Sequence, residues 1–585
     1  WGQCYAASKE IAHGLLALGL AVGDRVAILA GTREEWILCD LALVMAGGIT
    51  VPLYPSNTPD QCSFILQDSE STVLFAENAK QLAKIAGIRA QVPSLKTVIV
   101  FDAAGVQESE GVLTLASLRE RGKAHAAQNP GALEQVSGQM NGDTTATIIY
   151  TSGTTGNPKG VVVAHDAFTI GTRHGVSALP VAQTDLQLLF LPMAHSFGKM
   201  LSIVSVRVGF CTAFAESIEK LVDNIGEVKP IWMAGVPRIY EKVYAGFLNK
   251  AKEGGALKWK LVNWAIGVGT AASREIQAGR KPSGLLGLQY AIADKLVFTK
   301  LRQRFGGRLR WFISGSAPLS RELAEFFHAA GMLIIEGYGL TETNSLTTIN
   351  RENRYKFGTV GPVLHPDLQM KLAPDGEILT KGVTNLRGYY KNPEATAEAI
   401  DAEGWFHTGD IGEVDSEGFV RITDRKKDLI KTSGGKYVAP QMIEGQLKMD
   451  PLVSQAVVIG DNRKYITVLI AINPDTAKKV ISDAGQAPPQ DPADLQKHPL
   501  IEAHLKKRQA ELNSRLGSWE QVKYFRVLPR ELSEADGELT PTLKIKRKVV
   551  AQKFADLIEE HGPAVRRLQQ PRPRRSRIRG RLPVF

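Results

Sequence analysis

The chain has 585 residues, too many for one hydrophobic core, so two or more domains are expected. Its composition, 44% hydrophobic and 22% charged, is that of an ordinary soluble globular protein. Four widely spaced cysteines without a C-x-x-C pair argue against a disulfide framework or a structural zinc site, and favour a reducing compartment such as the cytoplasm.

The positive charge is concentrated at the C-terminus. Eight arginines and no acidic residue lie between Arg566 and Phe585, and without them the formal net charge falls from +11 to +3. Such a tail can bind anionic lipid or nucleic acid. The alternative is a disordered terminus. This Pro/Arg-rich run has no helical or strand period, which favours the disordered terminus. We expect no specific nucleic-acid partner, and peripheral membrane contact stays a hypothesis.

The N-terminal part alternates helical and strand patterns. The chain begins at Trp1, without a methionine and within a helix-like stretch, so we expect it to lack an N-terminal piece. Short apolar strands at 25–30, 49–53, 71–76 and 96–101, separated by helix-like stretches, indicate a mostly parallel sheet covered on both faces. The most apolar region, 36–54, is interrupted by Asp40, two glycines and a proline, which favours a buried helix and a strand over a membrane span.

The stretch Tyr150–Gly160 has the chemistry of a polyphosphate loop. It lies between two apolar β-branched runs, 144–149 and 161–163, and holds three glycines, four Ser or Thr hydroxyls, Lys159 and no acid. Glycines let a phosphate approach the backbone, hydroxyls and backbone N–H groups donate to it, and the lysine supplies charge. The order differs from a Walker A loop, which runs into a helix. An ordinary hairpin turn would explain the glycines but not the hydroxyls or the lysine.

Further strands end in polar loops. Apolar runs at 185–191, 309–313 and 333–335 lead into the loops 192–197, 314–319 and 336–343, and another strand is predicted from Trp232. A long, mostly helical region follows from 240 to 304. Ligands of open α/β sheets bind at the carboxyl ends of the strands, so these loops are candidates for a binding site.

The pattern changes after residue 355 to short strands and turns. Pro374-Asp-Gly376 and Asp415-Ser-Glu-Gly418 are turn sequences typical of antiparallel β structure. The charged run 424–428 is predicted to be an exposed linker. Two apolar strands at 455–459 and 465–470, with helices near 440–449, 498–516 and 547–560, predict a small α+β domain beyond it.

Four of these loops together resemble the adenylate-forming superfamily, which includes acyl-CoA synthetases, nonribosomal-peptide adenylation domains and luciferases. The resemblance covers roughly residues 1–560, and four motifs in the family's order make it very specific. The motifs are Tyr150–Gly160, Tyr338-Gly-Leu-Thr-Glu342, Gly404-Trp-Phe-His-Thr-Gly-Asp410 and Asp424-Arg-Lys-Lys-Asp-Leu-Ile-Lys431.

The resemblance implies an α/β fold in two domains. A large multi-layer N-terminal domain (1–424) would have mostly parallel sheets plus a small β subdomain. A small mobile α+β C-terminal domain (425–562) would follow, with the basic tail (563–585) disordered. The active site would lie between the two domains.

The resemblance also implies roles for the ATP-binding residues. Lys159 and the phosphate-loop residues would hold the β- and γ-phosphates; these residues are Thr151, Ser152, Gly153, Thr154, Thr155 and Gly156. Tyr338 and Gly339 would pack on adenine, with Ser314, Gly315 and Ser316 lining the same pocket. Thr341 would donate to the α-phosphate and Glu342 would ligate Mg²⁺, a cation suited to carboxylate and phosphate oxygens. Asp410 and Arg425 would bind the ribose.

Other roles fall to the small domain. Lys544, in Leu539-Thr-Pro-Thr-Leu-Lys-Ile-Lys-Arg547, would be the catalytic lysine that stabilises charge as the carboxylate attacks the α-phosphorus. Many family members have Gly-Lys where this chain has Leu543-Lys544, a departure shared by the long-chain subgroup, and Lys546 is the alternative lysine. Lys427 would be the hinge, and Gly434-Gly435 would line the tunnel for CoA.

The implied reaction is the formation of acyl-AMP and pyrophosphate from a carboxylate and ATP, followed by displacement of AMP by CoA. The helical region after Tyr240, the loop 191–197 and the segment 234–240 resemble long-chain fatty acyl-CoA synthetases, and His195 and Trp232 would line or gate the acyl tunnel. An ordinary core position for Trp232 is equally compatible with the sequence. Three alternatives stay open: a fatty acyl-AMP ligase that loads a carrier protein, a CoA ligase for a medium-chain or aryl acid, and a non-catalytic nucleotide- or lipid-binding relative.

Overall fold

The computed structural model of the chain describes residues 1–151, 158–434, 436–540 and 544–559. The first part, up to residue 164, contains helices α1–α6 and strands β1–β7. The helices are Gly2–Ala17, Glu34–Met45, Pro59–Ser69, Ala79–Ala86, Leu115–Gln128 and Ala132–Ser137. The strands are Arg25–Leu29, Ile49–Leu53, Val73–Ala76, Thr97–Val100, Val112–Thr114, Thr145–Thr151 and Lys159–Ala164.

The second part, residues 165–349, contains α7–α14 and β8–β13. The helices are His165–Ala178, Ser196–Val208, Leu221–Val228, Pro237–Glu253, Ala256–Gln277, Gly284–Ala293, Thr299–Arg304 and Arg321–Ala329. A π-helical stretch, Asp294–Phe298, joins α12 to α13. The strands are Leu186–Leu189, Cys211–Phe214, Trp232–Gly235, Trp311–Ser314, Leu333–Tyr338 and Thr348–Ile349.

The third part, residues 350–425, is mostly β structure, with β14–β18 and α15. The strands are Gln369–Leu372, Glu377–Lys381, Gly388–Tyr389, Phe406–Val414 and Val420–Arg425, and the helix is Pro393–Ala399. The last part contains β19–β23 and α16–α21. The strands are Ile430–Lys431, Tyr437–Val438, Val453–Ile459, Ile466–Ile472 and Val522–Val527. The helices are Pro440–Leu447, Pro474–Asp483, Pro492–Gln496, Pro499–Asn513, Arg547–Lys553 and Ala555–Glu559.

Two large sheets form the first two layers. One has the strand order β16-β7-β6-β2-β1-β3-β4-β5, and the other has the order β13-β12-β11-β10-β8-β9. Pairing is parallel in both, except that β7 is antiparallel to β6 and β16, and β13 is antiparallel to β12. The predicted mostly parallel α/β architecture is confirmed.

A continuous core joins the two sheets through the helices between them. Trp36 of α2 and Trp232 of β10 belong to the same buried cluster. A buried ion pair lies in this layer, where the Lys199 Nζ on α8 is 2.5 Å from a carboxylate oxygen of Asp40 on α2, and the Thr50 hydroxyl donates to the same oxygen at 2.6 Å. The charge that interrupts the apolar stretch 36–54 is therefore neutralised inside the fold.

A third, antiparallel sheet (β14-β15-β17-β18) and the small domain complete the fold. The small domain has a sheet of β21, β22 and β23, and α16, α17 and α19 pack on its core. The predicted exposed linker at 424–428 is wrong at its first residues. Asp424 and Arg425 are the end of β18, and Asp424 is buried because this edge lies against the small domain, where Arg547 and Glu444 act on its charge.

Candidate active site

Side chains from two sequence motifs meet at the carboxylate of Asp410, which belongs to a third motif. Asp410 on β17 is buried, and its oxygens accept hydrogen bonds from the Tyr338 hydroxyl (2.7 Å) and from the Arg425 Nε (3.0 Å). The antiparallel register of β17 and β18 places Asp410 directly opposite Arg425, whereas Tyr338 arrives at the end of β12. Burial, and then the charge of Asp410, raise the pKa of the Tyr338 phenol well above its ordinary value, so Tyr338 stays a donor.

A second cluster forms around Glu342. Its Oε1 accepts a hydrogen bond from the Tyr389 hydroxyl at 3.1 Å, and the Lys159 Nζ lies 5.1 Å from the centroid of the Tyr389 ring. Glu342 belongs to a single 3₁₀ turn after β12, while β16 and β7 pair at the edge of the first sheet and bring Tyr389 beside Val161. Tyr389 therefore links the two predicted ATP ligands, and the sequence analysis missed it.

Thr341 is buried next to the end of a neighbouring helix. Its hydroxyl lies 3.4 Å from the Ser196 hydroxyl, the first residue of α8. His195 caps this helix, since its Nδ1 accepts from the backbone N–H of Phe197 at 3.1 Å. Burial, and then the positive charge of Lys544, lower the pKa of His195 to about 3, so the imidazole is neutral at physiological pH.

Lys544 brings a cation from the small domain into this region. Burial, and then the charge of Arg425, lower its pKa to about 8, while Asp410 and Glu342 act in the opposite direction. Its backbone is held in a turn, with the Lys544 N–H donating to the Thr540 hydroxyl (3.0 Å) and the Thr540 N–H donating to the Lys544 carbonyl (2.8 Å). The charges that act on the Lys544 amine, those of Arg425, Asp410 and Glu342, therefore all belong to the large domain.

This position depends on how the small domain docks on α10. The Lys448 Nζ contacts Glu241 at 2.9 Å, and the Arg238 guanidinium donates to the Ser454 carbonyl. Farther along the helix, the Lys479 Nζ donates to the Asn249 carbonyl at 3.2 Å. The helical region after β10 therefore supplies a platform for the small domain.

The turn between the domains is braced by charge. Lys426 contacts Asp375 at 2.7 Å and Glu377 at 2.9 Å, whereas the predicted hinge residue Lys427 is exposed. Burial raises the pKa of Asp424 to about 7, and one of its oxygens has no hydrogen-bond partner among the described residues. Lys426 thus ties the start of the turn to the third sheet, and Lys427 beside it faces solvent.

The remaining predicted adenine residues line tight loops after β11 and β12. Ser314 is the buried end of β11, and Ser316 has a φ of 68°, in the left-handed region that few non-glycine residues adopt. A Cβ on Gly315 would come within 3.4 Å of the Phe197 ring, and one on Gly339 would lie 2.3 Å from the Ser345 backbone. Only glycine therefore fits at position 339.

Trp232 lies in the core rather than at a surface. It is buried, its ring stacks on Trp311 with 5.2 Å between centroids, and Phe210 packs on its edge at 5.4 Å. Its Nε1 has no hydrogen-bond partner among the described residues.

The phosphate loop is described only at its two ends. Thr151 and Lys159 face each other across the β6–β7 pair, and the Thr151 hydroxyl is 3.5 Å from the Lys159 carbonyl. The other predicted phosphate-loop residues, Ser152, Gly153, Thr154, Thr155 and Gly156, lie outside the described residues. Gly434 is exposed in the turn after β19, and Gly435 is also outside the described residues.

One further group of metal-binding residue types lies outside these clusters. Asp367 Oδ2 is 3.3 Å from His174 Nε2 and 3.3 Å from His365 Nδ1. The two imidazoles are stacked 3.7 Å apart with an angle of 5° between their planes. A ring nitrogen's lone pair lies in the plane of its ring, so nitrogens of parallel stacked rings do not converge on one ion. We therefore assign no metal to this group.

Comparison with known proteins relates most of the chain to one family. Residues 1–390 match the family model described as AMP-binding enzyme, and residues 427–562 match the AMP-binding enzyme C-terminal domain. The long-chain-fatty-acid–CoA ligase FadD15 of Mycobacterium bovis is 38% identical over 562 residues, which cover 95% of this chain and 91% of the relative. The human long-chain-fatty-acid–CoA ligase ACSBG1 is 31% identical over 593 residues, with coverage of 96% and 80%.

Solved structures show the same fold. The adenylation domain of a carboxylate reductase from Mycobacterium chelonae superposes with a TM-score of 0.73 at 22% identity, covering 95% of this chain and 83% of that one. At this identity the match concerns the fold alone.

Proposed function

This chain belongs to the AMP-binding enzyme family, and on that basis we propose that it is an ATP-dependent long-chain fatty acid:CoA ligase that acts through an acyl-adenylate. The observation that carries the proposal is the position of Lys544, a cation from the small domain held near Asp410, Arg425 and Glu342 of the large domain. The names of the relatives, which are 31–38% identical over nearly the full chain, support the acid and the acceptor.

We assign the nucleotide to the loops that follow β11 and β12 and to Asp410 on β17. The Asp410 carboxylate can accept hydrogen bonds from two ribose hydroxyls, and Arg425 and Tyr338 hold it in place. Tyr338 and Gly339 would provide the surface for adenine, together with Ser314, Gly315 and Ser316. Lys159 and Thr151, with the loop between them, would hold the two phosphates that leave.

The residues around Glu342 fit a magnesium ion. The donor is the Glu342 carboxylate, the type of ligand that Mg²⁺ takes alongside substrate phosphate oxygens and water. Tyr389 donates to one carboxylate oxygen, and the other accepts no hydrogen bond from a described residue, so it can bind the cation. When bound, the ion would neutralise phosphate charge, and Glu342 would hold it.

In the first step, a carboxylate oxygen of the acid attacks the α-phosphorus. The bond from that phosphorus to the bridging oxygen breaks, and pyrophosphate leaves with the electron pair. The protonated Lys544 amine would stabilise negative charge on the α-phosphate oxygens and the incoming carboxylate, and Thr341 would donate to the same phosphate. No protein nucleophile is needed, because the acid itself attacks.

In the second step, the sulfur of CoA attacks the acyl carbonyl and AMP leaves. The thiol loses its proton, and a thioester replaces the mixed anhydride. Rotation of the small domain about Lys427 would withdraw Lys544 and bring Gly434 and Gly435 to the acceptor tunnel. The exposure of Lys427 beside the braced Lys426 supports a pivot at this residue.

The acyl chain requires an apolar channel near β8, β10 and β11. Trp232 and His195 stay our candidates for its wall, and the neutral state of His195 suits an apolar lining. Each methylene that leaves water contributes about 0.8 kcal/mol, so a long alkyl chain gains binding energy with length. The packing of Trp232 on Trp311 favours a supporting role over a gate.

The proposal is tested by screening acids of graded chain length with ATP and Mg²⁺, with and without CoA. We expect pyrophosphate release with long-chain acids, and CoA-dependent conversion of the bound adenylate to thioester. A fatty acyl-AMP ligase would release pyrophosphate yet form no acyl-CoA, and pyrophosphate release with short or aryl acids alone would contradict the long-chain assignment. Peripheral membrane contact is part of the proposal, because long-chain acids partition into bilayers.

A further inference from the structure

A row of large apolar side chains is exposed on α12. Leu285, Leu288 and Ile292 are 72%, 62% and 43% exposed, and Leu296 in the following π-helical stretch is 42% exposed. At 100° per residue these four positions fall within an arc of about 80° and extend over about 17 Å of helix. They form one continuous stripe, which we call the leucine stripe.

The opposite face of this helix is fixed to the protein core. Ala293, Val297 and Phe298 are buried in the core cluster, and the Tyr290 hydroxyl donates to the Ala329 carbonyl at 3.1 Å. The helix therefore cannot turn its leucine stripe inward without emptying that core. Solvent-exposed apolar rows of this kind are typical of interaction surfaces.

The leucine stripe is accompanied by positive charge. Lys281, Lys295, Lys300 and Arg304 are exposed, and none of them makes a salt bridge to another described residue. Asp294 is the single acidic residue from 280 to 304, and its carboxylate is already paired with Arg302 at 2.6 Å. A protein face with an apolar row and unpaired cations is complementary to a partner that has an apolar interior and negatively charged groups on its outside.

We propose that the leucine stripe docks this protein on an anionic lipid bilayer, with the helix lying in the interface. Anionic headgroups match the unpaired lysines, and acyl chains match the leucines. At about 17 Å the stripe is too short to span a bilayer core, and no described helix is long and apolar enough to cross one. The inference rests on the proposed function in one respect, since a bilayer is where a long-chain acid resides.

The test uses co-sedimentation of the full chain with phosphatidylcholine vesicles, with or without phosphatidylglycerol. We expect the variant Leu285→Gln/Leu288→Gln/Ile292→Gln to lose at least about tenfold in partition to the anionic vesicles. Replacing Lys281, Lys295 and Lys300 by Gln is expected to lower partition about fivefold per lysine at low salt, and added salt should lower wild-type binding similarly.

The matched control replaces exposed apolar residues elsewhere. Ile218 and Val222 are 46% and 49% exposed near α9, and the variant Ile218→Gln/Val222→Gln is expected to bind vesicles within twofold of wild type. Circular dichroism checks that the stripe variant folds, and a chain truncated at residue 563 measures any binding by the arginine tail.

Three results would overturn the inference. They are unchanged partition in the stripe variant, loss of partition only on truncation at 563, and concentration-dependent self-association through the stripe without vesicle binding. Failure of the proposed function would look different, because the enzyme would then release no pyrophosphate with any long-chain acid while its binding to vesicles persisted.

Discussion

Replacing Lys544 by alanine tests whether the small domain supplies the catalytic cation. The side chain belongs to the small domain, whereas the charges that act on it, those of Arg425, Asp410 and Glu342, belong to the large domain. We therefore expect the variant to lose formation of acyl-AMP and to keep the conversion of preformed acyl-AMP to acyl-CoA, for which the small domain rotates away.

The size of the effect follows from the environment of the amine. Burial lowers the pKa of Lys544 to about 8, from 10.5 for a solvated lysine. That difference corresponds to a free-energy cost of about 3 kcal/mol for holding the amine protonated in the site without bound ligands. A cation held in this way stabilises developing charge strongly, and loss of one such group typically costs about 10²–10³ in rate. The unfolded chain binds this proton more tightly than the folded one, so the contribution of Lys544 to stability rises with pH between about 8 and 10.5. The alanine variant should therefore unfold at no lower temperature than the wild type.

The assay separates the two half-reactions. Pyrophosphate release in single turnover without CoA measures adenylation, and thioester formation from synthetic acyl-AMP and CoA measures the second step. Lys546→Ala is the matched control, because Lys546 is two residues away and makes no salt bridge to a described residue. Full adenylation by Lys544→Ala, or its loss in Lys546→Ala instead, would refute the assignment.

Three other predictions concern the charge of Lys544, the Tyr389–Glu342 hydrogen bond and the buried Asp40–Lys199 pair. The kcat/KM for adenylation by the wild type should fall as pH rises through about 8, because Lys544 of the free enzyme loses its charge, and a kcat/KM that is flat to pH 10 would contradict this. Tyr389→Phe removes the hydrogen bond to Glu342, so the magnesium concentration for half-maximal pyrophosphate release should rise a few-fold, and an unchanged titration would remove Tyr389 from the site. Asp40→Ala leaves the buried Lys199 charge without its partner, so the free energy of unfolding measured in urea should fall by about 3–5 kcal/mol. A loss under 1 kcal/mol would contradict a buried Lys199 whose charge is neutralised by Asp40.

The sequence predicted the fold class because hydrophobic runs and turn signals are local. The strands around the phosphate loop, β6 and β7, lie where the β-branched runs predicted them, and the helical region from 240 to 304 corresponds to α10–α13. Contacts between segments that are far apart in the sequence could not be predicted from it. The charge at Asp40 could be seen to interrupt an apolar stretch, but its partner Lys199 is 159 residues away and carries no motif.

The candidate site shows the same division. Tyr338, Asp410 and Arg425 were named from their motifs, and the structure brings the three together. Tyr389 was missed because its role depends on the pairing of β16 with β7, which places it beside Glu342 and Lys159. The prediction of an exposed linker is wrong at Asp424, which is buried. A run of charged residues predicts solvent exposure, and the sequence does not show that the docked small domain covers this one.

The helical region from 240 to 304 also contacts the small domain through α10, which its sequence did not predict. Glu241 and Asn249 contact the small domain in the arrangement that holds Lys544 near Asp410. The same region carries the leucine stripe on α12. We propose that this one helical region both docks the small domain and carries the surface that binds a bilayer.

The most direct test of the central claim follows the carboxylate oxygen of the acid. Attack of the carboxylate on the α-phosphorus leaves one oxygen of the acid on the released AMP. The enzyme is therefore given a long-chain acid with an ¹⁸O-labelled carboxylate, together with ATP, Mg²⁺ and CoA, and the nucleotide is analysed by mass spectrometry. The account predicts one ¹⁸O in AMP for each acyl-CoA formed. Label in inorganic phosphate with ADP as the product, or none in AMP, would contradict adenylation.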